Sequence, residues 1–127
     1  QRPHIHSSQD AFHLLASFFM DKNVEVFYVA YLNVANRLLK VEPISLGGLT
    51  STVVDSRVVF RKAFDIPGVT QLVLAHNHPS GNLKPSDADC KLTERIKQGG
   101  LLLEFKLLDH LIIAGHHYFS FADQGLL

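Results

Sequence analysis

Apolar residues change period several times along this chain, and each change marks a predicted element. Phe12, Leu15, Phe18 and Phe19 recur at helical spacing behind Ser7 and Ser8, which predicts a capped first helix. From Val24 to Leu32 the residues are β-branched and aromatic and apolar on both faces, the pattern of a buried strand. Asn33 to Asn36 makes a turn. Leu38 to Leu46 reads as a second strand, in which Pro43 requires an edge position or a bulge. Gly47-Gly48 makes another turn, and Thr50 to Val54 predicts a short third strand. Asp55 or Ser56 caps a helix from Arg57 to Phe64, closed by Pro67-Gly68. Gln71 to Ala75 is a short apolar strand leading directly into His76. Ser86 opens a helix that runs through Lys97 and stops at Gly99-Gly100. Leu101 to Leu103, Leu107 to Ala114 and Tyr118 to Phe121 supply the remaining strands. This order of elements predicts an α/β fold, a mixed β-sheet flanked by helices.

Composition narrows the class. A length of 127 residues with 46% hydrophobic content suits one domain, 1–127, around a single core. Gln1 to Ile5 is polar and reads as loose. Basic and acidic residues balance at 12 each, so charge does not support DNA as a partner. Arg57, Arg61 and Lys62 share one predicted helical face, which reads as solvated. No apolar run approaches the ~20 residues that cross a bilayer, and the N-terminus lacks a basic-then-apolar signal pattern. A lone cysteine, Cys90, rules out an internal disulfide and fits a cytoplasmic protein. It also excludes the His/Cys/Cys zinc site of nucleobase deaminases, so any metal is held by His, Asp and Glu.

Candidate chemistry gathers between Leu72 and Asp89, LVLAHNHPSGNLKPSDAD. Residues two apart on a strand share a side, so His76 and His78 project together and Asn77 points away. Pro79 ends the ladder and Gly81 permits a sharp turn. The following helix begins at Ser86, so Asp89 in its first turn can face both imidazoles. Two imidazoles and a carboxylate are the ligand set of a catalytic zinc ion with an open fourth position, where zinc lowers the pKa of water to ~7. Each piece also has an ordinary alternative: His-x-His as two hydrogen-bonded surface histidines, Ser86 to Asp89 as a capping box.

HNHPSG followed by PSDAD resembles the JAMM (MPN-plus) metallohydrolase signature, His-x-His, seven residues, then Ser-x-x-Asp. Asn between the histidines and Pro-Ser-Gly after them are similar to the bacterial RadC-like branch. LLDHLIIAG (Leu107 to Gly115) and YFSFADQGLL (Tyr118 to Leu127) resemble that branch's C-terminal end. The resemblance implies a cytidine-deaminase-like JAMM/MPN architecture, with His76, His78 and Asp89 as zinc ligands. It also implies Ser86 as the serine assisting an oxyanion and Glu25 as the general base. The residues alone do not select Glu25 from Glu42, Glu94 and Glu104. One departure stands where RadC-like chains read Pro-Arg-Glu, since this chain has Ser56, Arg57 and Val58. The N-terminal helix-hairpin-helix segment of full-length RadC-like proteins is not in this sequence.

These features lead to an expected zinc-dependent metallopeptidase or isopeptidase acting on a peptide or protein substrate. The alternative is a DNA-repair-associated or protein-interaction module, or a metal-dependent nuclease, that keeps the zinc fold. An exposed edge strand near Pro43 is suited to dimerisation or to addition of a peptide strand, and the residues do not choose between them. Cys90 reads as a buried packing residue. His110, inside an apolar strand, reads as a structural histidine, with support of the metal site as the other option. His116 and His117 read as exposed turn residues, and His4, His6 and His13 are assigned no role.

Overall fold

A computed structural model describes residues 2–46 and 54–127. Helix α1 (Ser8–Leu15) starts from Ser7, whose side chain accepts the Asp10 N–H, and continues as a 3-10 turn (Ala16–Phe19). Strands β1 (Val26–Leu32) and β2 (Leu38–Leu46) follow, then helix α2 (Ser56–Asp65), capped by Asp55. Strand β3 (Gln71–Asn77), helix α3 (Asp87–Leu103) and strands β4 (Lys106–Ala114) and β5 (His117–Ser120) complete the described elements. The chain is α/β. Five strands lie in the order β2-β1-β3-β4-β5, antiparallel except for β3 and β4, which run parallel around the α3 crossover.

The sheet divides the expected single core into two layers. On one face Phe27, Val29, Tyr31, Leu72 and Leu74 pack under α2 and α3, through Val59, Phe60, Ala63 and Ile96. On the other, Val26, Ala30, Val73, Ala75 and Leu111 meet Ala11 and Leu15 of α1. Both faces of β1 and β3 are therefore buried, which is why those strands read as nearly continuous apolar runs. No helix among the described residues is long and apolar enough to cross a membrane.

Pro43 lies on edge strand β2 beside an irregularity where Phe27 pairs with Ser45 and Tyr28 with Pro43, leaving Ile44 as the extra residue. Several expectations are corrected. Strand β1 begins at Val26, so Val24 and Glu25 precede it. Residues 50–53 of the expected third strand lie outside the described residues, and Val54 belongs to no strand. Helix α3 does not stop at Gly99-Gly100, and Leu101 to Leu103 form its last turn rather than a strand. Glu104 ends it in the left-handed region at φ 65°. The chain then folds back so tightly that a Cβ on Gly100 would meet the Phe105 carbonyl oxygen at 2.3 Å. Gly100 therefore serves a close approach, not a helix stop. The N-terminal segment is pinned, with Ile5 N–H on Asn36 O and Leu38 N–H on Pro3 O. Cys90 is exposed, on the outer side of α3.

Candidate metal centre

Three local structures converge at one end of β3. The first is the strand end itself. His76 projects to the α3 side, 1% exposed, with its ring stacked on Phe27, its cross-strand neighbour. The His78 N–H continues the ladder onto Ile113 O at 3.0 Å. Pro79 and Ser80 then turn the chain, closed by Gly81 N–H on His78 O, with Gly81 at φ 90°. The second is the start of α3. Ser86 is its N-cap in a complete capping box, where Ser86 Oγ accepts the Asp89 N–H (3.0 Å) and Asp89 Oδ2 accepts the Ser86 N–H (2.8 Å). The capping reading of Ser86 to Asp89 holds, and it leaves the carboxylate turned toward the histidines. The third is the entrance to β1, which carries Glu25.

Distances define the cluster. His76 Nε2 lies 3.1 Å from His78 Nε2 and 3.2 Å from Asp89 Oδ1, and His78 Nε2 lies 3.4 Å from Asp89 Oδ2. Donors around a tetrahedral zinc at about 2.0–2.1 Å are separated by about 3.3–3.4 Å, close to this triangle. Glu25 Oε1 stands back, 4.0 Å from His76 Nε2. All four residues offer an atom within 4.8 Å of the others, and the group could hold a metal ion.

The protons on the two histidines follow from a hydrogen-bonded chain. The Asp89 carbonyl can only accept, so the Thr93 hydroxyl donates to it at 2.7 Å. Thr93 Oγ1 then accepts from His110 Nδ1 at 2.6 Å. Burial and the neighbouring His76 hold the His110 pKa well below its ordinary value, so the ring is neutral. His110 Nε2 is then bare and accepts from His76 Nδ1–H at 2.8 Å. His78 Nδ1 faces the Asn82 carbonyl at 2.6 Å and must likewise carry its proton. Both rings therefore spend Nδ1 on these partners and turn Nε2 toward each other and toward Asp89. Two imidazole nitrogens and a carboxylate oxygen facing one point are a donor set that fits a zinc-type ion. Burial opposes ionisation of Asp89, but His76 and the Ser86 amide outweigh it and hold its carboxyl well below the ordinary carboxylate range.

The cluster opens into a cleft of about 630 Å³ lined by Glu25, His78, Asn82, Lys84, Ser86 and Asp87 among others. Ser86 spends only an acceptor lone pair on its cap, and its O–H remains available as a donor. Every residue singled out from the sequence for this site lies at it. Thr93 was not among them, and His110, read first as a structural histidine, takes the other option, support of the site. His110 reaches the site because β4 carries an irregularity: Leu72 pairs with Leu107 but Val73 pairs with Asp109. That extra residue reverses the alternation of β4 and turns His110 toward His76. The Asp-His pair inside an apolar strand was its only signal in the sequence. His116 and His117 are exposed, as expected.

Comparison with known proteins agrees with the motif. Residues 5–126 match the family model described as RadC-like JAB domain. Similar chains include UPF0758 proteins of Flavobacterium johnsoniae (43% identity over 96% of this chain) and Porphyromonas gingivalis (40% over 100%). A UPF0758 protein of Methanosarcina mazei is 36% identical over 97%. The match takes in 53% to 56% of those relatives' length, so this chain spans about half of each.

Proposed function

This chain belongs to the RadC-like JAB domain family, and we propose that it is a zinc-dependent hydrolase that cleaves amide or isopeptide bonds in a peptide or protein. The observation that carries this reading is the set of donor atoms of His76, His78 and Asp89 directed at one point, with a second carboxylate, that of Glu25, standing off from it. His76, His78 and Asp89 would hold the ion. Zinc supplies a Lewis acid that polarises a carbonyl and acidifies water at its open position to a pKa of ~7.

The remaining work belongs to the chain's own side chains. Glu25, about one-third exposed at the cleft wall, takes the proton of the attacking water and returns it to the departing amine nitrogen. Its stand-off from His76 leaves the base unligated and free to carry that proton. Ser86 O–H, fixed in direction by its cap, donates to the oxyanion that develops on the substrate carbonyl. Hydrogen bonds from His76 and His78 through Nδ1 keep both rings in the ligating tautomer.

The test is a peptidase assay on protein of measured zinc content. Glu25→Gln is expected to lower kcat by about 10²–10⁴-fold with zinc content unchanged. His78→Ala is expected to lose the zinc. A wild-type protein that cannot be loaded with zinc rejects the reading, and activity that survives Glu25→Gln rejects that base.

A further inference from the structure

Glu25 lies outside the sheet that carries His76. Strand β1 starts at Val26, and its last backbone pair with β3 joins Phe27 to His76. The Glu25 carboxylate makes no hydrogen bond among the described residues, so its position depends on how the backbone at 24–26 is held. Asn77 holds it. The side chain of Asn77 leaves β3 on the face opposite His76 and His78 and is 4% exposed. Its Oδ1 accepts the Val26 N–H at 2.7 Å, and its Nδ2 donates to the Val24 carbonyl at 3.1 Å. The carboxamide therefore grips the backbone on both sides of Glu25, replacing the strand pairing that ends one residue earlier. Both bonds use one orientation of the amide, with the acceptor facing an N–H and the donor facing a C=O.

We infer that Asn77 is a positioning residue for Glu25, setting the reach of the base without touching metal or substrate. The inference rests on the reading of Glu25 as the base. Three geometric facts support it. Asn77 occupies the residue between two ligand histidines, so the strand that places His76 and His78 also places its amide. The amide meets only the two residues flanking Glu25. An apolar residue of similar size would leave the buried Val26 N–H unpaired and release the half-exposed Val24 C=O to solvent, and the segment would shift to recover a partner for the N–H. A shift of about 1 Å in a reacting group can cost ~10²-fold in rate.

Cobalt(II) is a suitable probe, because it substitutes for zinc and its visible absorption responds to protonation at the open position. Asn77→Leu is expected to bind cobalt with wild-type affinity, since His76, His78 and Asp89 remain. The pH midpoint of its cobalt band is expected to move to that of Glu25→Gln. In peptide hydrolysis its kcat is expected to fall about 10²-fold with KM unchanged. A wild-type midpoint in Asn77→Leu, or loss of cobalt binding, overturns the positioning role. If circular dichroism shows Asn77→Leu unfolded, Asn77→Ser takes its place, being polar but too short to span both partners. Should wild-type protein hydrolyse no peptide, the amide-hydrolase reading fails while the cobalt titration still decides Asn77. A band that Glu25→Gln leaves unmoved rejects Glu25 as the base, on which Asn77's role depends.

Discussion

His110 shows how much one buried side chain can determine about its neighbours. It is 0% exposed, neutral, and bonded on both nitrogens, to His76 on one side and to Thr93 on the other. Removing its acceptor leaves the His76 Nδ1–H without a partner and frees that ring to change tautomer. His110→Phe is therefore expected to weaken zinc binding by about 10–100-fold, read by competition with a chromophoric chelator. The same residue predicts a pH dependence. Its folded pKa lies well below the ordinary 6.5, through burial first and the neighbouring His76 second. Below 6.5 the unfolded chain binds a proton that the folded chain refuses, so stability falls as pH drops through that range. Urea midpoints of chelator-treated protein should decline from pH 7 to pH 5, and less steeply in His110→Phe.

Helix α3 combines a structural end and a chemical end at its N-terminus. The sequence offered a choice between a capping box and a metal ligand with an oxyanion donor, and the geometry allows both together. Asp89 Oδ2 takes the Ser86 amide while Oδ1 faces His76, and Ser86 Oγ caps through a lone pair. Two substitutions separate these roles. Ser86→Ala removes cap and donor together, and is expected to cost about 1 kcal/mol of stability as well as activity. Ser86→Asp keeps an N-cap acceptor but has no O–H when ionised. It should melt near the wild-type temperature while kcat falls about 10²–10³-fold. A Ser86→Asp enzyme with full kcat would remove Ser86 from the chemistry. At its other end the same helix shows where local signals mislead. Gly99-Gly100 has the composition of a stop, yet the helix continues because Gly100 is needed against the Phe105 carbonyl, not in a turn.

At the scale of the whole molecule, the proposed metal binding would be linked to folding, because the proposed ligands come from distant parts of one chain. His76 lies at the end of β3 and His78 just past it while Asp89 enters from α3, so an unfolded chain does not present the set. An ion bound only by the folded state stabilises it by about 2.7 kcal/mol at a free concentration of 100 times Kd. Thermal melts should therefore rise on adding zinc and fall with chelator, and His78→Ala should show little response to either. Charge gives the molecule no global bias toward nucleic acid. Arg57 is paired with Asp55 and Lys62 with Glu42, so two of the three cations on the α2 face already have partners.

The periods of the apolar residues determined most of the element types and of their bounds, since helix and strand spacing are local properties of the chain. The same locality placed His76 and His78 on one side of a strand and Asp89 in a first helical turn. Three decisions waited for the tertiary structure. Glu25 rather than Glu42, Glu94 or Glu104 lies beside the histidines, because β1 pairs with β3 in the register that sets Phe27 against His76. Asn77 grips the segment around Glu25 across 51 and 53 residues of sequence. His110 faces His76 only because one extra residue in β4 reverses its alternation. The physical reason is common to all three. Which face a side chain occupies is set by pairing register, and a slip of one residue reverses it.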